Sequence, residues 1–204
     1  MNRNATLRAT GLIGALLLVP AAARAQATVG QPAPAFSAPD QTGATRSLDA
    51  YKGKWVVLEW VNHECPFVKK HYGSGNMQKT QAAAEAKGAV WLSVNSSAPG
   101  KQGAMDGKLA ASLTSSKHAT PTAVLLDPEG TVGRAYGAKT TPHMFVIDPK
   151  GTIVYAGAID DKPSTDPGDV PGAKNYVLAA LDEAMAGKPV SVASTQPYGC
   201  SVKY

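Results

Sequence analysis

The stretch WVVLEWVNHECPFVKKHY, Trp55 to Tyr72, decides how the rest of the chain is read. Its first part, Trp55 to Val61, is an apolar, β-branched run that predicts a buried strand, and Cys65-Pro66 opens a segment that predicts a helix. Cys65 therefore falls at a strand-to-helix turn. The first backbone N–H groups of a helix have no intrahelical partner and its macrodipole is positive at that end, so a thiolate is favoured over a thiol there. Pro66 suits the first helical position, where its missing N–H costs nothing. His63 and Lys69 add polar and positive groups nearby. Because the thiolate is the form that attacks sulfur or peroxide oxygen, Cys65 reads as a redox nucleophile.

Working outward, the 204 residues, 44% of them hydrophobic, suffice for one good core and are too few for two large domains. Residues 1–25 read as a secretory signal peptide: Arg3 and Arg8 give a basic start, Gly11 to Val19 an apolar run too short to span a bilayer, and Ala23-Arg24-Ala25 a small-x-small cleavage site. Export to the periplasm or the extracellular space is expected, without a membrane anchor. No cysteine follows the cleavage site to suggest a lipoprotein. Losing Arg3, Arg8 and Arg24 lowers the formal charge from +5 to +2. With no basic stripe in what remains, nothing points to nucleic acid or lipid as a partner.

From Val29 to Lys54 the prolines Pro32, Pro34 and Pro39 forbid regular helix, and Phe36 and Leu48 are isolated apolar anchors. Helix is expected from Pro66 to Lys87, broken at residues 73–76, then from Gly107 to Lys117, at Val132 to Tyr136, and from Ala173 to Ala186. Strands are expected at Val90 to Asn95, Thr122 to Leu126, His143 to Ile147 and Thr152 to Ala158. The last two are joined by the turn DPKG and form an antiparallel hairpin, whereas intervening helices make the earlier ones parallel; the sheet is therefore mixed. Asp160 to Gly172 reads as a polar, Pro-rich loop, and residues 189–204 as a tail carrying Cys200.

Other residues leave alternatives open. Glu59 interrupts the apolar strand before Cys65; pointing inward it would have a raised pKa and accept protons for the thiol, and pointing outward it would be a surface acid. The alternation does not decide between these. Thr141-Pro142 precedes a strand and, taken alone, reads as an ordinary trans loop. His63, His71 and His143 with Cys65 are soft donors suited to copper or zinc, but their spacing is no zinc motif, and neither a metal nor a cofactor is expected. Cys65 and Cys200 as a static disulfide would stabilise by about 4 to 5 kcal/mol on the chain-entropy model. A purely structural cysteine has no need of a helix N-terminus, which favours chemistry. Nothing specifies an oligomeric state.

The segments VGQPAPAFSAPDQTG, YKGKWVVLEWVNHECPF and DPEGTVGRAYGAKTTPHMFVIDPKGTIVYAG, from Val29 to about Ala158, resemble the thioredoxin-like superfamily in its AhpC/TSA (redoxin) branch. More narrowly, NHECPFVKKHY with the ending PYGCSVKY is similar to a peroxiredoxin-like group with N-H-x-C-P-F-V and C-terminal G-C-S-V-K motifs. The resemblance implies an α/β thioredoxin-like fold with a central mixed β-sheet flanked by helices, over residues 26–188. It makes Cys65 the attacking cysteine, Glu59 the buried acid, Pro142 a cis-proline facing the sulfur and Cys200 a resolving partner. Asn62, His63, Pro66, Thr141 and His143 would line the site. The implied activity is thiol-disulfide exchange or hydroperoxide reduction, recharged by an external thiol reductant. The rival is a non-enzymatic copper-binding or disulfide-stapled module.

Departures from the pattern are specific. The second cysteine of a thioredoxin would stand at Val68, which removes a local dithiol swap. The Thr or Ser and the Pro that peroxiredoxins carry before their cysteine are replaced by Asn62 and Leu58, and their arginine is missing near Pro142. The polarised pocket for a peroxide oxygen is correspondingly weakened.

Overall fold

A computed structural model describes residues 27–204; the segment expected to be a signal peptide, residues 1–25, lies outside the described residues. The elements run β1 (Ser37–Pro39), β2 (Thr45–Ser47), β3 (Val56–Trp60), α1 (Pro66–Gly73), α2 (Asn76–Ala86), β4 (Val90–Asn95), α3 (Gly107–Ser116) and β5 (Ala123–Leu126). Then follow α4 (Thr131–Tyr136), β6 (Thr140–Thr141), β7 (His143–Ile147), β8 (Ile153–Gly157), α5 (Tyr176–Met185) and β9 (Cys200–Ser201). The central sheet has the order β5-β4-β3-β7-β8. β3, β4 and β5 are parallel, and β7 and β8 join antiparallel, giving the mixed sheet expected from the crossover and hairpin spacings.

β3 is buried at every residue because helices or loops cover both sheet faces. On one side Val56, Leu58 and Trp60 meet Phe36, Tyr136 and Phe145, with the Trp60 ring 5.4 Å from each of the latter two. On the other side Val57 and Val61 join Val68, Trp91, Tyr155 and Leu181, beneath α1, α2 and α5. Fully burying apolar side chains of this size contributes roughly 1.5–3 kcal/mol each, so the two layers hold the sheet rigid beneath its ends. Glu59 shares the second face by period-two alternation, which explains why no polar face was visible in the sequence.

Two segments differ from expectation. The 160–172 loop contains a 3₁₀ turn, Pro167–Gly172, started by Asp166 accepting from the Gly168 N–H. α5 begins later than Ala173 because Asn175 is its N-cap, taking the Leu178 N–H. The tail, without helical period, is tied down piece by piece. Thr195 bonds the Tyr155 hydroxyl and the Ala158 N–H, β9 pairs with β6, and the Tyr204 hydroxyl donates to the Ala138 carbonyl at 2.8 Å. Among the described residues no helix is long and apolar enough to cross a membrane.

Candidate active site

Cys65 is the N-cap of α1, with Pro66 at the first helical turn as expected, and its side chain is wholly buried. The turn into it is fixed by Asn62, whose carbonyl accepts from the Cys65 N–H and whose side chain accepts from Glu64 N–H at 2.9 Å. Asn62 also donates to the Gln102 carbonyl at 3.2 Å, so its amide is consumed in bracing the loop. The Cys65 thiol donates to the Thr141 carbonyl at 3.1 Å, and the Thr141–Pro142 peptide is cis.

Thr141 is also the ladder partner of Cys200, since β6 and β9 align Thr141 with Cys200. The tail backbone passes so close there that a Cβ on Gly199 would stand 2.1 Å from the Thr141 carbonyl oxygen, at φ +136°, and only glycine fits. This brings the two free thiols into hydrogen-bonding contact. Burial pushes the Cys65 thiol up, but hydrogen bonds from the Cys200 thiol and from the Val68 and Cys200 backbone amides outweigh it, so its pKa lies below the ordinary value. Burial and the neighbouring Cys65 push Cys200 up to about 11. The pair is thus asymmetric: Cys65 gives up its proton more readily than Cys200 does.

Glu59 is wholly buried and accepts from Trp91 Nε1 and Ser93 Oγ, both at 2.9 Å, and from the Tyr72 hydroxyl at 2.9 Å. Burial raises its pKa, against those hydrogen bonds. The inward alternative is therefore the observed one, yet none of its hydrogen bonds reaches either cysteine. A cavity of ≈ 40 Å³ lined by Val61, His63, Tyr72 and Ser93 among others adjoins this cluster.

The histidines do not gather. His63 lines that cavity; His71 is buried between Asn76 and Tyr198; and His143 stacks on Phe145 with its Nδ1 accepting from the Lys139 N–H at 3.3 Å. Burial lowers the His143 pKa to about 4. Among the described residues no three His, Cys, Asp or Glu side chains converge as a metal ion requires. Lys69 is exposed on α1. Neither described arginine is at Cys65's disposal: Arg46 pairs with Asp40 at 2.7 Å and Arg134 lies 4.4 Å from the Tyr204 ring centre. Sequence reasoning passed over Gly199 and Tyr198, both inside the PYGCSVKY ending; a glycine and an aromatic immediately before a cysteine are the signal that was available.

The AhpC/TSA family pattern matches residues 29–156, well over half of the chain. The chain belongs to the AhpC/TSA family. No curated protein sequence matches it. Among solved structures this AhpC/TSA chain is similar to a hypothetical protein from Sinorhizobium meliloti at 24% identity, with a TM-score of 0.75 over 88% of this chain and 96% of that one. It is also similar to a peroxidoxin from Mycobacterium tuberculosis, at 19% identity and TM-score 0.56 over 77% and 97% of the two chains. The thioredoxin domain of a thiol-disulfide oxidoreductase from Bacteroides vulgatus matches at 23% identity and TM-score 0.50, over 63% and 87%. At such identities the likeness is one of fold, and the fold is thioredoxin-like. Family membership supports a thioredoxin-like redox function.

Proposed function

We propose that this chain is an exported thiol-disulfide oxidoreductase of the peroxiredoxin-like group, in which Cys65 attacks and Cys200 of the same chain resolves. The observation that carries the reading is that Thr141 both accepts from the Cys65 thiol at 3.1 Å and pairs with Cys200 across the β6–β9 ladder, so that two free thiols meet at the N-terminus of α1. In the first step the Cys65 thiolate attacks one sulfur of a substrate disulfide, forming a mixed disulfide and expelling one substrate thiolate. Cys200 then loses its proton to solvent and attacks the Cys65 sulfur, forming the Cys65–Cys200 disulfide and expelling the second thiolate. The two electrons given to the substrate are restored by an external dithiol or two monothiols. Thr141 and Pro142 shape the wall on which both sulfurs meet, and Glu59 is the buried acid of the strand that leads to Cys65.

A second reading is hydroperoxide reduction, favoured by the separation of the cysteines between helix and tail. There the thiolate takes the terminal oxygen, alcohol or water leaves, and Cys200 condenses with the sulfenic acid to release water. Asn62 being tied to Glu64 and Gln102, and Arg46 and Arg134 being occupied elsewhere, support exchange instead. The test is stopped-flow reaction of the reduced protein with oxidised glutathione and, separately, hydrogen peroxide. Exchange predicts faster Cys65 loss with glutathione disulfide and two glutathione thiols released per chain; a faster reaction with peroxide would overturn it. Expression in a Gram-negative host checks export, with a periplasmic product beginning at Gln26.

A further inference from the structure

Cys65 has no exposed surface, and part of what covers its sulfur is the tail. Tyr198, just ahead of Gly199-Cys200, is seated on α1, the helix that Cys65 itself begins. Its ring lies 5.8 Å from that of Phe67 and 5.9 Å from Lys70 Nζ. Its hydroxyl bonds His71 Nε2 at 3.1 Å and donates to Asp160 Oδ1 in a short hydrogen bond. His71 and Asp160 are both buried. Asn76 donates to His71 Nδ1 at 2.8 Å, which leaves Nε2–H to donate to Tyr198 and the Tyr198 O–H to donate to Asp160. The chain of donors has one sense from Asn76 to the Asp160 carboxylate and passes through Tyr198, the aromatic side chain just ahead of Gly199-Cys200. Nothing in the sulfur chemistry described above uses these four residues. They lie on α1, on the adjoining start of α2, after β8 and on the tail, so their hydrogen bonds fasten the tail to the helix under Cys65.

We propose that Tyr198 is a positioning residue that latches the tail onto α1, holding Cys65 closed to solvent in the reduced protein and returning Cys200 to it for the second step. This rests on the two-cysteine reading above. Substrate sulfur reaches Cys65 only when the latch opens, so the same hydroxyl slows the first step and speeds the second. A merely structural tyrosine would not move those two rates in opposite directions.

The test is iodoacetamide alkylation of Cys65 in the reduced protein, followed by peptide mass spectrometry, with Tyr198→Phe, Asp160→Asn and, as control, Tyr136→Phe, which loses a hydrogen bond to the Pro34 carbonyl in the opposite core layer. Losing one charge-assisted hydrogen bond is expected to speed Cys65 alkylation about tenfold to a hundredfold in the first two variants. The control is expected to stay unchanged. In parallel, conversion of a Cys65–glutathione mixed disulfide to Cys65–Cys200 should slow in the same two variants. Should Tyr198→Phe fail to fold, Asp160→Asn carries the test. Unchanged alkylation in folded Tyr198→Phe and Asp160→Asn, or an equal rise in Tyr136→Phe, would overturn the proposal. Gated alkylation with a wild-type Cys65 inert to glutathione disulfide and peroxide would overturn the two-cysteine reading and leave the latch standing.

Discussion

Cys200 faces Thr141 across the β6–β9 ladder, and the carbonyl of Thr141 accepts the Cys65 thiol proton at 3.1 Å. One residue of the cis-proline loop therefore aligns both sulfurs, the first through its carbonyl and the second through strand pairing. The carbonyl favours protonated Cys65, while the Cys200 thiol and the helix N–H groups favour the thiolate; the second set prevails.

Replacing Cys200 by Ala removes the thiol that donates to the Cys65 sulfur. The Cys65 thiolate titration, followed by absorbance at 240 nm against pH, is expected to shift to higher pH. Absorbance does not depend on access to the sulfur, so an unchanged midpoint would show that the Cys200 donor contributes nothing.

Gly199→Ala places a Cβ against the Thr141 carbonyl at a φ of +136°. The strain is expected to cost about 1–3 kcal/mol of stability and to lift the tail off the loop. Thermal melts should show the loss, and the Cys65–Cys200 disulfide should form at least tenfold more slowly with oxidised glutathione. A variant with wild-type stability and disulfide formation would contradict the close approach.

Glu59 has a folded pKa raised by burial above its ordinary value of 4.5. The folded protein holds this proton more tightly than the unfolded chain, so the contribution is full below pH 4.5 and is lost as pH rises through the folded pKa. Glu59→Gln should flatten that part of the stability curve: the wild type loses stability relative to the variant above pH 4.5. Parallel curves would mean that Glu59 titrates normally.

His143 has the opposite sign. Burial lowers its pKa from 6.5 to about 4, so its contribution is present above pH 6.5 and lost as pH falls towards 4. The loss by pH 4 is on the order of 3 kcal/mol. His143→Gln should remove this acid-side decline, measured by urea unfolding at pH 7 and pH 4.5; an equal decline in the variant would place it on other groups.

The strands Val90–Asn95 and His143–Ile147 were legible to the residue, because short β-branched runs bounded by glycine or proline are what a doubly covered strand requires. The facing of Glu59 was not, since elements packed on both sides of the sheet bury both faces of β3 and erase the polar alternation. The position of Cys65 at the α1 N-terminus followed from Pro66 and the preceding strand. Its meeting with Cys200 was suggested by their being the two cysteines of the chain, and a resolving role for Cys200 by family likeness; the pairing itself was invisible, since β6 and β9 are two residues each and so short a pairing between distant segments leaves no periodic trace. The same holds for Tyr198, whose partners His71 and Asp160 come from a helix and a loop that only the folded sheet brings together.

The most direct measurement is peptide-mapping mass spectrometry of the reduced protein after one equivalent of oxidised glutathione, on the wild type and on Cys200→Ser. An intrachain Cys65–Cys200 disulfide at monomer mass in the wild type, and glutathione held on Cys65 in the variant, are the expected results. Glutathione accumulating on Cys200 in the wild type, or a disulfide joining two chains, would contradict the assignment of Cys65 as the attacking thiol and Cys200 as its resolving partner.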